Sequence, residues 1–119
     1  MAYVDICVLP VPKKNLDAYR SLARKMGKIW REHGALAYAE YMADDVKPGK
    51  RTSFPQSVKL KPGEVVWVSR IVCRSRRHRD GVFAKVMSDK RLRPMMNPKA
   101  MPFDARRMFF GGFKVVIDL

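Results

Sequence analysis

The chain has 119 residues and 13.7 kDa, which indicates one domain with a core large enough to need no metal or disulfide staple. Twenty-five Lys and Arg against 11 Asp and Glu give a net charge of +14, a balance that either favours polyanion contact, with nucleic acid or anionic lipid, or serves only as a solubilising surface. No apolar run approaches the roughly 20 residues of a membrane span, and two cysteines, Cys7 and Cys73, are too few for a disulfide framework or zinc site and read as buried thiols.

Residues 3–9, "YVDICVL", alternate: Val4, Ile6 and Val8 point one way, and Tyr3, Asp5, Cys7 and Leu9 the other. Pro10 and Pro12 are expected to end this strand. The short apolar start lacks a preceding basic stretch, so it is not read as a signal peptide, and a cytoplasmic location is expected. Asn15 is placed as the N-cap of a helix over 16–33. Its stripe is Tyr19, Leu22, Ala23, Met26, Ile29 and Trp30, and Gly34 stops it.

A second strand is predicted over 36–43, followed by a long polar connection, "KPGKRTSFPQSVKLKPGE". A third strand, 64–73, is apolar on both faces, with Val65, Trp67 and Ile71 against Val66, Val68 and Val72. Ser75 caps a second helix over 76–88 whose buried stripe is Val82, Phe83, Val86 and Met87. "RLRPMMNPKAMPFD" is irregular, with room for one helical turn, and the last strand spans 107–117.

Strand, helix, strand, strand, helix, strand is the order of the ferredoxin-like split βαβ fold. Right-handed crossovers place both helices on one face of a four-stranded antiparallel sheet, an α+β architecture in a single domain over 1–119. The helices leave the other sheet face bare although it too is apolar. A second copy packed sheet to sheet would cover it, so a homodimer is expected.

The last strand, "RRMFFGGFKVVIDL", carries one glycine on each face: Gly112 between Phe110 and Lys114, and Gly111 between Phe109 and Phe113. Two readings stand for the pair, a bulge or bend in the sheet, or space left for a ligand or a partner subunit.

The blocks "YVD", "VPKKNLDAYR", "EHGAL", "DDVKPGKRTSFPQSV", "GEVVWVSRIV", "SRRHRD", "KVMSD" and "MPFDARRMFFGGF" together resemble the YbaA-like family of bacterial proteins, over nearly the whole length. Where that family has Gly–Phe after "YVD", this chain has Ile6 and Cys7; where it has Asp–Pro after "VM", this chain has Asp89 and Lys90. The resemblance implies a dimeric α/β barrel and no particular reaction. By fold analogy, relatives in the wider superfamily include cofactor-free monooxygenases and isomerases with a pocket between sheet and helices.

The candidate catalytic residues are His33, Asp5 and His78. His33 either caps the first helix or shuttles protons. Asp5, inside a strand, either pairs with an arginine such as Arg70 or Arg107, or serves as a pocket base. His78 lies in "SRRHRD", which reads either as a cap with a solvated first turn or as an anion site formed by Arg76, Arg77 and Arg79. On the first helix, Arg20, Arg24, Lys28 and Arg31 repeat opposite the apolar stripe; with the second helix they form a basic face, either solvated or open to RNA backbone.

The expected ligand pocket is walled by Trp67, Tyr41, Phe109, Phe110 and Phe113, with Gly111 and Gly112 leaving room. Asp44, Asp45 and Asp104 lack metal-ligand spacing, so no metal and no cofactor are expected. Two functions follow: a small-molecule-binding or enzyme-like dimer with a small apolar ligand, or a protein that binds RNA or another polyanion.

Overall fold

The computed structural model describes residues 2–119. It contains β1 (Tyr3–Pro12), a 3₁₀ turn (Lys13–Asn15), α1 (Leu16–Glu32), β2 (Ala37–Met42), α2 (Phe54–Ser57), β3 (Glu64–Cys73), α3 (Arg76–Met87), α4 (Leu92–Met95), a second 3₁₀ turn (Ala105–Arg107) and β4 (Phe109–Lys114). The strands form one antiparallel sheet in the order β2-β3-β1-β4. This is the ferredoxin-like arrangement.

β1 does not stop at Pro10. It stays paired with β3 as far as Pro12↔Glu64, although β4 leaves it after Val8↔Phe109. The ladder continues with Lys13 N–H donating to the Gly63 carbonyl, so odd-numbered residues of β1 point their amides at β3. Pro10 and Pro12, at even positions, point theirs to the side where β4 has already ended, and no ladder bond is lost there.

Alternation then sorts the side chains. The odd residues of β1 and β3 face the helices. Leu9, Val11 and Trp67 pack on Tyr19 and Ala23 of α1, and Cys73 packs with Ile29, Trp30, Val82, Val86 and Leu92. The α3 stripe is narrower than expected: Val82 and Val86 are buried, but Phe83 and Met87 are exposed. α1 ends in a Schellman motif, with Gly34 at φ 116°, Gly34 N–H on the Arg31 carbonyl and Ala35 N–H on the Trp30 carbonyl. Asn15 does not cap α1 with its side chain; its Nδ2 donates to the Pro102 carbonyl (3.0 Å) and ties down the segment before β4. Ser75 does cap α3, its Oγ accepting from the His78 amide at 3.0 Å.

The opposite sheet face carries Val4, Ile6, Val8, Val66, Val68 and Val72, with Tyr41, Phe109 and Phe113 along its edges. The connection after β2 covers one end only, where Val58 and Leu60 sit on Val8 and Val66. Tyr41, Phe109 and Phe113 remain about half exposed, at 47%, 45% and 54%.

The two β4 glycines make no bulge, because β1 and β4 pair without interruption from Tyr3↔Lys114 to Val8↔Phe109. A Cβ on Gly112 would lie 2.3 Å from the Tyr3 hydroxyl and 2.5 Å from its ring. The gap at Gly112 is therefore filled by Tyr3, over which the Arg79 guanidinium stacks at 4.9 Å. Gly111 lies on the helix-free face beside the Phe113 ring, 3.8 Å from where its Cβ would be.

Arg107 binds the start of β4 to the rest. Its fork donates to both Glu64 oxygens (2.7 and 2.6 Å), and it also reaches the Lys59 carbonyl (3.0 Å) and Asp104 (3.1 Å). Both partners are largely buried, and the guanidinium holds the Glu64 carboxyl below its ordinary range. Removing one partner strands the other charge. Arg107→Ala is expected to lose about 2 to 3 kcal/mol and lower Tm by roughly 10 °C, measured by thermal denaturation, with Arg107→Lys recovering only part because it lacks the planar fork.

Candidate functional site

Between α1 and β2 lies an open groove of about 790 Å³. Its existence follows from side-chain size. Ala23 and Gly27 stand four residues apart on α1, so the helix surface recedes there. β2 sends Tyr38, Glu40 and Met42 towards the helix, and the Tyr38 ring lies against Gly27. Trp67 of β3 completes the floor, and Arg20, Arg24, Lys28 and Arg31 form a basic rim.

Glu40 lies at the base of this groove. One carboxylate oxygen accepts from the Tyr19 hydroxyl at 2.8 Å and the other from the Tyr38 hydroxyl at 2.5 Å. Burial pushes the Glu40 carboxyl above its ordinary pKa, and the two phenol hydrogen bonds only partly oppose this. Burial and the neighbouring carboxylate push both phenols up, so they stay protonated and act as donors. Cys7 of β1 and Ser69 of β3 complete the surroundings. Burial raises the Cys7 thiol to about 11, which rules out a reactive thiolate. Next to this cluster, the Trp67 indole N–H is buried without a partner among the described residues.

The anticipated catalytic residues are not brought together. Asp5 pairs with neither Arg70 nor Arg107. Arg70 points to the helix-free face, Arg107 is taken by Glu64, and Asp5 binds Arg79 of α3 at 2.6 Å. Burial still raises the Asp5 carboxyl against the pull of Arg79, and its second oxygen has no partner. Because Arg79 turns inward to Asp5, it leaves the anion cluster foreseen with Arg76 and Arg77, which stay exposed at the start of α3. His33 is the C-cap of α1, and its Nε2 meets Asp89 at 2.8 Å. Asp89 and Glu32 both bind Arg91, whose guanidinium holds the Asp89 carboxyl well below the usual carboxylate range. His78 uses its Nδ1 to accept the Arg74 amide (3.0 Å), a local closure of the α3 N-terminus, and desolvation lowers its pKa.

The foreseen aromatic wall also divides. Trp67 lines the groove; Tyr41, Phe109, Gly111 and Phe113 belong to the helix-free face; Gly112 lies under Tyr3; Phe110 sits at the sheet edge, 74% exposed. Arg20, Arg24 and Lys28 are not a separate outer face but edge the groove. Glu40 and Tyr38 were missed, although their signal stands in "AYAEYM": a tyrosine and a glutamate two apart share one side of a strand.

A four-stranded sheet with the long helices on one face and a groove between helix and sheet defines the class: a ferredoxin-like α+β domain. At the level of fold it is similar to SnoaB, a cofactor-independent oxygenase from Streptomyces nogalater (TM-score 0.63, 10% identity, covering 99% of this chain and 96% of that one). It is equally similar to a dimeric ferredoxin-like protein from an uncultured marine organism (TM-score 0.63, 9% identity, 99% and 98% covered). The sequence is 42% identical over 118 residues to the uncharacterized protein YbaA of Escherichia coli K12, covering 99% of both chains. The chain belongs to the DUF1428 family of proteins of unknown function, whose model matches residues 2–105. No helix among the described residues is long and apolar enough to cross a membrane.

Glu40 gives a pH-dependent signature of stability. Its folded pKa lies above its unfolded value, so its contribution is fully favourable below the unfolded pKa and is lost as pH rises through the folded one. Glu40→Gln is therefore expected to raise Tm at neutral pH. Thermal scans at descending pH should show that advantage shrinking to nothing in acid.

Proposed function

We propose that the protein is a homodimer, joined through the helix-free sheet face, that binds a small anionic molecule with an apolar body in the α1–β2 groove of each protomer. The observation that carries the reading is the groove itself, whose small-residue wall and Trp67 floor suit an apolar body while four cationic side chains edge its mouth. The open sheet face supports the dimer, since half-exposed Phe109 and Phe113 lie beside Val4, Ile6 and Val68, an apolar surface that only Arg70, opposite Ile6, interrupts. The fold shared with a dimeric ferredoxin-like protein and with a cofactor-independent oxygenase fits both parts of the reading.

Two measurements test it. Sedimentation equilibrium is expected to give a mass near twice 13.7 kDa, and Val68→Asp, which places a charge in the middle of the sheet face, is expected to give a monomer that retains its secondary structure. A single-protomer mass for the unaltered chain overturns the dimer.

Naphthoate, titrated against tryptophan fluorescence, is expected to bind saturably, and Arg24→Glu with Lys28→Glu to weaken it at least about tenfold. An RNA oligonucleotide that displaced naphthoate with a steep salt dependence would reassign the basic rim to a polyanion.

A further inference from the structure

Eleven acidic residues share this chain with 25 Lys and Arg. Wherever a carboxylate is drawn into the body of the protein, an arginine meets it: Asp5 has Arg79, Glu64 has Arg107, Asp89 has Arg91 and Asp104 has Arg106 and Arg107. Glu40 is the exception among the described residues. It is half-buried, it lines the α1–β2 groove, and four cationic side chains line the same groove, yet its hydrogen bonds come only from two tyrosines. An ion pair would fix a carboxylate in its charged state and occupy its lone pairs. Two neutral donors orient the carboxylate, leave each oxygen a further lone pair, and let it take up a proton without breaking an ion pair.

We propose that Glu40 is a catalytic base that removes a proton from the carbon next to a carbonyl of a small enolisable acid, with Tyr19 and Tyr38 as its positioning residues. The inference rests on the groove being a ligand site. In the step, the substrate C–H bond breaks and an O–H bond forms on Glu40. The electron pair left behind moves into the carbonyl to give an enolate, and transfer of the proton from Glu40 to the enolate oxygen gives the enol and regenerates the carboxylate, the reverse path carrying solvent deuterium back to carbon. The overall change is tautomerisation, which consumes no oxidant, reductant or second substrate. Arg20, Arg24 and Lys28 on the basic rim receive the substrate's acid group and stabilise the enolate charge, while the Arg31 guanidinium is engaged with the Ala35 and Leu36 carbonyls.

The groups facing Glu40 agree with this assignment. α1 contributes Tyr19, β2 Tyr38, β1 Cys7 and β3 Ser69, and none of them carries a charge at neutral pH. Burial among these uncharged groups raises the Glu40 carboxyl, which makes it a stronger base than an exposed carboxylate.

Phenylpyruvate, an aromatic keto acid, is the probe. Exchange of its methylene protons for deuterium is followed by NMR in D₂O, and its binding by tryptophan fluorescence. The unaltered protein is expected to accelerate exchange over buffer by at least about a hundredfold. Glu40→Gln is expected to return the rate to that of buffer while binding changes less than about threefold.

Tyr19→Phe removes one donor to the carboxylate and should raise the proton affinity of Glu40. The rising limb of the pH–rate profile then moves to higher pH, a shift that a merely structural tyrosine would not cause. Binding without exchange, or exchange unchanged in Glu40→Gln, overturns the assignment of Glu40 and leaves the groove standing as a ligand site. Absence of phenylpyruvate binding where naphthoate binds overturns this assignment alone, and absence of binding by both removes the groove reading with it.

Discussion

The structure rests on a mismatch between two layers. β1 and β3 carry apolar residues on both sides, but the long helices α1 and α3 cover one side only, and on the other the single turn of α2 and its connection cover just one end. Alternation commits Leu9, Val11, Trp67 and Cys73 to α1 and α3, and it equally commits Val4, Ile6, Val68 and Val72 to the opposite face. A shift of register by one residue would exchange these two sets, so the pairing Tyr3↔Cys73 through Pro12↔Glu64 determines at once where the core lies and which surface remains to be covered. The groove is a by-product of the same commitment. Tyr38, Glu40 and Met42 alternate on β2 in phase with the helix side, and the small residues of α1 leave space above them.

Electrostatics is organised on top of this frame. A basic chain has arginines to spare, and most of the buried or half-buried carboxylates are held by one. The pairs are not equivalent. Arg107–Glu64 is a planar, bidentate contact that joins β3, β4 and the connection after β2, whereas the half-exposed Arg91 ties the largely buried Asp89 to the exposed Glu32 at the helix ends. Asp5–Arg79 is less complete, since one carboxylate oxygen stays unpartnered and burial still outweighs the guanidinium. Against that background, a carboxylate held only by phenols is kept at a cost to stability.

Element order, both long helices, the Ser75 cap and the Gly34 stop were legible in the sequence because each depends on a local pattern of three to five residues. The end of β1 was not. A proline breaks a ladder only if its nitrogen faces a neighbour, and whether β4 still runs alongside at Pro10 depends on pairing that no local pattern records. The partner of Asp5 was hidden for the same reason: Arg79 is 74 residues away and arrives on a helix, so strand logic pointed to the wrong arginines. The aromatic wall failed because alternation was noted along β4 but not carried across the sheet, where it sends Phe109 and Phe113 away from Trp67. Glu40 was readable from parity alone, but its meaning required Tyr19, which the helical stripe had marked as an ordinary core residue.

Val58 has a role beyond filling space. It is 1% exposed, wedged on Val8 and Val66 at one end of the otherwise bare sheet face, and held there through Arg107, which reaches the carbonyls of Val58 and Lys59. The segment from 46 to 63 therefore acts as a doorstop. The face is therefore stepped, raised at the Val58 end and flat beyond Val68, and a covering surface would have to match that step. Loosening that connection would flatten the step without touching a residue at the centre of the face.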